Sequence, residues 1–318
     1  MPLDPRVRRF LDVLAAGKPP NAALGITVEE RRRGLAELMK FAGPEVEVSR
    51  SEDRTLPGPG GPPLAVRIYT PLGAAAEMLP GLVYFHGGGF VAGTLSTHDS
   101  IARTLANSGA CRVVSVEYRL APEHRFPAAL DDALAAVTHV GAHAALFGID
   151  PARLGVCGDS AGATLAAATC QAIARIGLPR LRLQLLICPI LDYSASSASR
   201  RDLASGYLLD QAMLDHDLLH YAPQGADPAD PRISPLRAGD LAGLPRTAIH
   251  TAEFDPVRDE GREYFERLDR AHCEVSYTCH PGMIHLFYAL GGVIPYARSA
   301  FELIGSDIKA AWPDGGRK

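Results

Sequence analysis

Short apolar runs alternate with longer stretches of helical period along this chain. Runs at Leu64–Tyr69, Leu82–Phe85, Arg112–Glu117, Leu154–Cys157, Leu181–Cys188, Thr247–Thr251 and Val275–Cys279 predict strands. Several are almost wholly apolar, as strands buried on both faces are. Helices are predicted near His98–Ser108, Pro127–Val140, Ala161–Ile176, Pro256–Ala271 and Pro295–Ala311. Strands alternating with helices imply right-handed crossovers and a mostly parallel sheet of the α/β class, covered on both faces. Two segments break the alternation. Residues 1–50 read as two helices, Pro5–Ala16 and Val28–Phe41, and residues 193–237 are polar with one helix near Asp210–Tyr221. Residues 51–192 and 238–318 are therefore expected to form the core. The two remaining segments would lie over the carboxyl ends of the strands, where ligands bind in such sheets.

Composition narrows the classes of function. The chain has 318 residues, 47% hydrophobic and 21% charged, enough to bury a sizeable core. Its net charge is 32 − 36 = −4, and Lys and Arg are scattered except for the short run Arg31-Arg32-Arg33. That balance argues against a nucleic-acid partner and against an acidic disordered tail. No apolar stretch approaches the roughly 18 residues needed to cross a bilayer, so no membrane insertion is expected. The start, Met1-Pro2-Leu3-Asp4-Pro5-Arg6, has no apolar signal core behind it, which predicts a cytoplasmic protein. The six cysteines form no Cys-x-x-Cys pair, and the spacing of Cys279, His280 and His285 matches no usual zinc pattern. Buried thiols and no metal are the expectation.

Chemistry enters at Gly158-Asp159-Ser160-Ala161-Gly162. The bare pattern is weak, and an ordinary glycine-lined turn competes with it. Its context is stronger, because a predicted strand precedes it and an Ala-rich helix follows. That arrangement exposes a serine in a strained turn, with the amides opening the helix aimed beside it. A second signal, His86-Gly87-Gly88-Gly89-Phe90, follows another strand and lets backbone N–H groups approach a ligand closely. Residues 87–92 also fit a dinucleotide loop, but Gly93-Thr94-Leu95-Ser96 continues as loop where such a site needs a helix. No nicotinamide, flavin or other cofactor is expected. A serine nucleophile needs a base and an orienting carboxylate, which follow it in chain order as acid and then histidine. Asp255 and His285 each lie just beyond a predicted strand, with Glu253 and His280 as rivals. Alone, Asp255 could equally be a helix cap and His285 a satisfied histidine.

Taken together the motifs carry a resemblance. His86–Phe90, Tyr118-Arg-Leu-Ala-Pro-Glu123, Phe126-Pro-Ala-Ala129, Gly158–Gly162, Asp255-Pro-Val-Arg-Asp-Glu-Gly261 and Gly282-Met-Ile-His285 occur in order over nearly the whole chain. The sequence resembles the hormone-sensitive-lipase-like branch of the α/β-hydrolases, bacterial carboxylesterases of that type. The resemblance implies an α/β-hydrolase fold with a helical cap built from residues 1–50 and 193–237. It implies Ser160, Asp255 and His285 as the catalytic triad, and the N–H groups of Gly88, Gly89 and Ala161 as the oxyanion hole. Phe90, Asp159 and Leu286 adjoin these residues and are expected to contact substrate. Tyr118–Glu123 is expected to be scaffold. Two departures bear on the pocket: Phe90 stands where many relatives have Trp, and Leu286 where they usually carry Gly.

The expectation is a serine carboxylic ester hydrolase for small esters with short-to-medium acyl chains, acting through an acyl-enzyme. Lactone or amide hydrolysis would use the same chemistry. A non-catalytic receptor is the reading from another class, since the gibberellin receptor resembles this family but lacks the catalytic histidine. His285 beside Ser160 and Asp255 argues against it here. A second copy of the chain is left open as the one macromolecular partner, a homodimer.

Overall fold

The computed structural model describes residues 1–16, 26–74 and 78–312. Eight strands form one sheet in the order β1-β2-β4-β3-β5-β6-β7-β8. They are β1 (Arg50–Leu56), β2 (Leu64–Thr70), β3 (Leu79–Phe85), β4 (Arg112–Val116), β5 (Ile149–Asp159), β6 (Leu183–Ile187), β7 (Arg246–Phe254) and β8 (Val275–Ile284). β1 pairs antiparallel with β2, and β2 with β4, while every other pairing is parallel. β1 is the strand that the hydrophobic pattern does not predict. It is exposed along most of its length and polar, as an edge strand can be. The central β3 and β6, by contrast, are buried almost throughout.

The helices are α1 (Pro5–Ala16), α2 (Val28–Met39), α3 (Asp99–Gly109), α4 (Ala128–Ala142), α5 (Ala161–Ile176), α6 (Ala198–Asp202), α7 (Gln211–Tyr221), α8 (Arg258–Arg270) and α9 (Tyr296–Ala310). Their ends follow local chemistry. Thr27 and Glu30 close a reciprocal capping box on α2, and the Asp210 side chain accepts from the Met213 N–H to start α7. The most buried of them, α5, is rich in alanine and threonine, small enough to lie close against the sheet. Residues 17–25 of the predicted N-terminal helical part lie outside the described residues.

Strand order decides where function can sit. From β3 the chain moves to β4 on one side and returns to β5 on the other, so the carboxyl ends of β3 and β5 flank a topological switch point. Phe85, last in β3, is in register with Gly158 of β5. The triple-glycine loop and the serine turn leave the sheet side by side for that reason. Two strands further on, β7 and β8 end at Phe254 and Ile284, immediately before Asp255 and His285. Among the described residues no helix is long and apolar enough to cross a membrane.

Candidate active site

Ser160 occupies a backbone conformation that an L-residue rarely adopts, φ 53° and ψ −122°, at the junction of β5 and α5. Its neighbours explain how it is held there. A Cβ on Gly158 would overlap the Gly162 carbonyl oxygen, and one on Gly162 would overlap that of Phe85. Without side chains at both positions, α5 begins in contact with the end of β3, and the turn between is forced tight. The Ser160 N–H donates to the Ile187 carbonyl of β6.

From this turn a continuous line of side chains runs across the strand ends. His285 Nε2 lies 3.0 Å from Ser160 Oγ, and His285 Nδ1 lies 2.7 Å from Asp255 Oδ2. All three residues are buried. Asp255 Oδ1 also accepts from the Val257 N–H at 3.1 Å, which fixes the carboxylate's orientation. The rivals face other partners. Glu253 accepts from the Met1 ammonium and from the Gly282 N–H at 2.7 Å, which hold its carboxyl below the usual range. His280 is bonded to His250 at 3.1 Å and to the Tyr296 hydroxyl at 3.2 Å, and burial lowers it to about 3.

The N–H groups of Gly88, Gly89 and Ala161 make no hydrogen bond among the described residues. Gly88 and Gly89 both have positive φ, 120° and 65°, and they line the same cavity as Ser160 and His285. Behind them is a layer of support that motif reading did not foresee. The fully buried Asp159 carboxylate accepts from the Tyr84 hydroxyl at 2.5 Å, the Gly87 N–H at 3.0 Å and the Tyr288 hydroxyl at 2.9 Å. Burial raises this carboxyl, and those donors counter the shift. The Tyr118 hydroxyl donates to the His86 carbonyl at 2.7 Å, and Arg119 forks onto Asp132, so Tyr118–Glu123 does hold neighbouring backbone.

Two residues expected to contact substrate have other partners in the fold. Asp159 touches the cavity, but its carboxylate is committed to Tyr84, Gly87 and Tyr288 and holds the triple-glycine loop. Phe90 is buried against Tyr221 of α7, ring centroids 3.8 Å apart, and does not line the cavity. Leu286 does line it. So do Arg31 and Leu35 of α2 and Met213, Leu214 and Asp217 of α7, none of which any motif singled out. The cavity is small, about 50 Å³. Among the described residues the one cluster close enough to hold a metal is Cys188, Asp255 and His285, two of which belong to the serine line. The fold, not sequence spacing, brings that thiol there.

A hydroxyl, an imidazole and a carboxylate in line, beside free amides, can perform acyl transfer. The similarities of the chain agree with that chemistry. A family model described as alpha/beta hydrolase fold matches residues 82–289. Carboxylesterase NlhH of Mycobacterium tuberculosis is 38% identical over 302 residues, 94% of this chain and 92% of that protein. Ethyl acetate hydrolase of Pseudomonas putida is 35% identical over 315 residues, covering 96% and 98%. The solved ester-hydrolase EH1AB1 from the Lake Arreo metagenome, in complex with a bipyridine phosphonate derivative, superposes with a TM-score of 0.93. It is 40% identical, over 98% of this chain and 99% of that one.

The buried histidines generate a prediction about stability. Burial holds His86, His98 and His280 at about 3, against 6.5 for the free side chain. The unfolded chain therefore takes up protons that the folded one refuses, between pH 6.5 and about 3. Stability should fall as pH drops below 6.5, by up to about 1.4 kcal/mol per pH unit for each histidine. Urea unfolding from pH 7.5 to 4.5 checks this. His280→Asn should flatten the dependence, and an unchanged slope would contradict the assignment.

Proposed function

The chain belongs to the α/β-hydrolase fold family, in its hormone-sensitive-lipase-like branch, and is a carboxylic ester hydrolase; from that premise we propose which residues perform the reaction and on which esters. Ser160 is the nucleophile, His285 the general base and then general acid, and Asp255 the carboxylate that orients the imidazole. The observation that carries this reading is the unbroken line of hydrogen bonds at 3.0 and 2.7 Å from Ser160 through His285 to Asp255.

Ser160 Oγ attacks the ester carbonyl as its proton passes to His285 Nε2. Asp255 stabilises the imidazolium that forms and keeps Nδ1 protonated. The carbonyl oxygen, now negative, is held by the N–H groups of Gly88, Gly89 and Ala161, which are free to donate without rearrangement. His285 returns its proton to the leaving alkoxide, an alcohol departs, and an acyl-enzyme remains. Water then enters, His285 takes its proton, and the same steps in reverse release the acid and restore Ser160.

The described parts of residues 1–50, together with residues 193–237, serve as two parts of a cap. Support comes from Leu35 and Leu38 of α2 and Leu208, Leu209, Met213 and Leu214 of the second segment, which line the cavity over Ser160. The cavity over Ser160 is small, about 50 Å³, and is closed in by these apolar side chains. Short acyl groups fit that space, and Leu286 narrows it. The six free thiols suit a reducing compartment, and the protein is assigned to the cytoplasm on that ground.

Two experiments test the reading. Asp255→Asn and His285→Ala should each lower kcat by roughly 10³–10⁶ on p-nitrophenyl acetate, while Glu253→Gln and His280→Ala keep most of it. The reverse ranking in folded protein would overturn the assignment. Across p-nitrophenyl esters from acetate to palmitate, kcat/KM should peak between acetate and butyrate. Each buried CH₂ gains about 0.8 kcal/mol only until the chain no longer fits. A peak on the longest esters would refute the capped short-chain site.

A further inference from the structure

The run Arg31-Arg32-Arg33 takes no part in the serine line, yet its first member reaches the same cavity. Arg31, on α2, forks onto Asp217 of α7. Its Nε lies 3.2 and 3.3 Å from the two carboxylate oxygens, and Nη2 lies 3.0 Å from one of them. Both side chains are nearly removed from solvent, at 10% and 4% exposure. His216 Nδ1 stands 3.1 Å from the same carboxylate. The next residue, Arg32, clamps α2 to the loop beyond the triple glycine through the Val91 carbonyl at 2.8 Å.

The Asp217 carboxylate lies directly against Gly89: a Cβ at that position would overlap Asp217 Cγ and Oδ2. A carboxylate therefore stands beside one of the amides assigned above to the oxyanion. Like charges repel far more in a buried cavity than in water. The ester ground state is neutral, whereas the tetrahedral intermediate carries a full negative charge on oxygen. Burial pushes the Asp217 carboxyl up, and Arg31 and His216 pull it back; where it stays ionised without Arg31, it would raise the transition state and leave substrate binding nearly untouched. Stability alone does not explain the pair, since apolar residues of similar size often serve a buried site as well or better.

We propose that Arg31 is a positioning residue of the hydrolysis, acting through Asp217: its guanidinium neutralises a carboxylate that would otherwise oppose the oxyanion at Gly88, Gly89 and Ala161. The proposal rests on the oxyanion assignment under Proposed function. It gives the arginine run a role that a simple strap between α2 and α7 would not.

The two roles separate in a double-mutant cycle on p-nitrophenyl acetate, with kcat and KM measured for the wild type, Arg31→Met, Asp217→Asn and the double variant. Arg31→Met should lower kcat about tenfold or more with KM changed less than about threefold, because it leaves the carboxylate without its permanent cation and with only His216 beside it. Asp217→Asn should lose less than Arg31→Met. The double variant should regain most of the lost kcat, and Arg31→Lys should retain most of it. If Arg31→Met does not fold, by circular dichroism and thermal melting, Arg31→Gln carries the same comparison and keeps one hydrogen bond. Equal losses in the two single variants with no recovery in the double would reduce the pair to a strap and overturn the proposal, as would an unchanged kcat in Arg31→Met. A Ser160→Ala protein as active as the wild type would instead remove the reading on which the proposal rests.

Discussion

The site depends on the close approach of α5 to the end of β3. Only hydrogen at positions 158 and 162 lets the helix start against the carbonyl oxygens of Gly162 and Phe85. Backbone, not a flexible side chain, fills that contact, so it cannot relax. Ser160 is driven to φ 53°, a conformation that costs of order 1–3 kcal/mol and persists only where the surroundings over-determine it. Here the surroundings are a helix buried along most of its length and a strand hydrogen-bonded on both sides. Because β3 and β5 are neighbours at the switch point, the same contact sets the serine beside the triple-glycine loop. Asp159 then ties the loop down through the Gly87 N–H.

Electrostatics of the buried site follow from this rigidity. Amides that do not move can be aimed at a charge before it forms, which lowers the barrier without reorganisation. Burial has a cost that the structure meets with neutral or paired groups. His86 and His98 are held neutral, the Asp159 carboxylate is surrounded by three donors, and Asp217 is matched by Arg31. The Glu260 carboxyl, pushed up to about 7 by burial, is offset in the same way by Arg200 and by the N–H groups of Leu191 and Asp192.

Much of this was legible in the chain, for identifiable reasons. Strands buried on both faces leave continuous apolar runs, and α7 carries its own start signal at Asp210, whose side chain accepts from the Met213 N–H. β1 left no such run because an exposed antiparallel edge strand needs none. Ser160, Asp255 and His285 were readable as candidates because each sits directly after a strand, a local feature. Contacts between distant segments were not. Nothing at Phe90 announces that its ring is spent on Tyr221, and nothing in Gly-Asp-Ser-Ala-Gly says that Tyr84 and Tyr288 claim the aspartate. Arg31 and Asp217 are 186 residues apart, and only the folding of α2 over α7 makes them a pair.

The central claim is that backbone geometry presents three amides to the oxygen of an ester attached at Ser160. The most direct test is a crystal structure of the enzyme inactivated by a p-nitrophenyl alkylphosphonate, whose tetrahedral phosphorus mimics the intermediate. The account predicts phosphorus bonded to Ser160 Oγ, with one phosphoryl oxygen 2.7–3.1 Å from the nitrogens of Gly88, Gly89 and Ala161. Backbone at residues 86–90 and 158–162 should be unmoved from the free protein. Attachment at another residue, or a phosphoryl oxygen facing solvent with those amides unused, would contradict it.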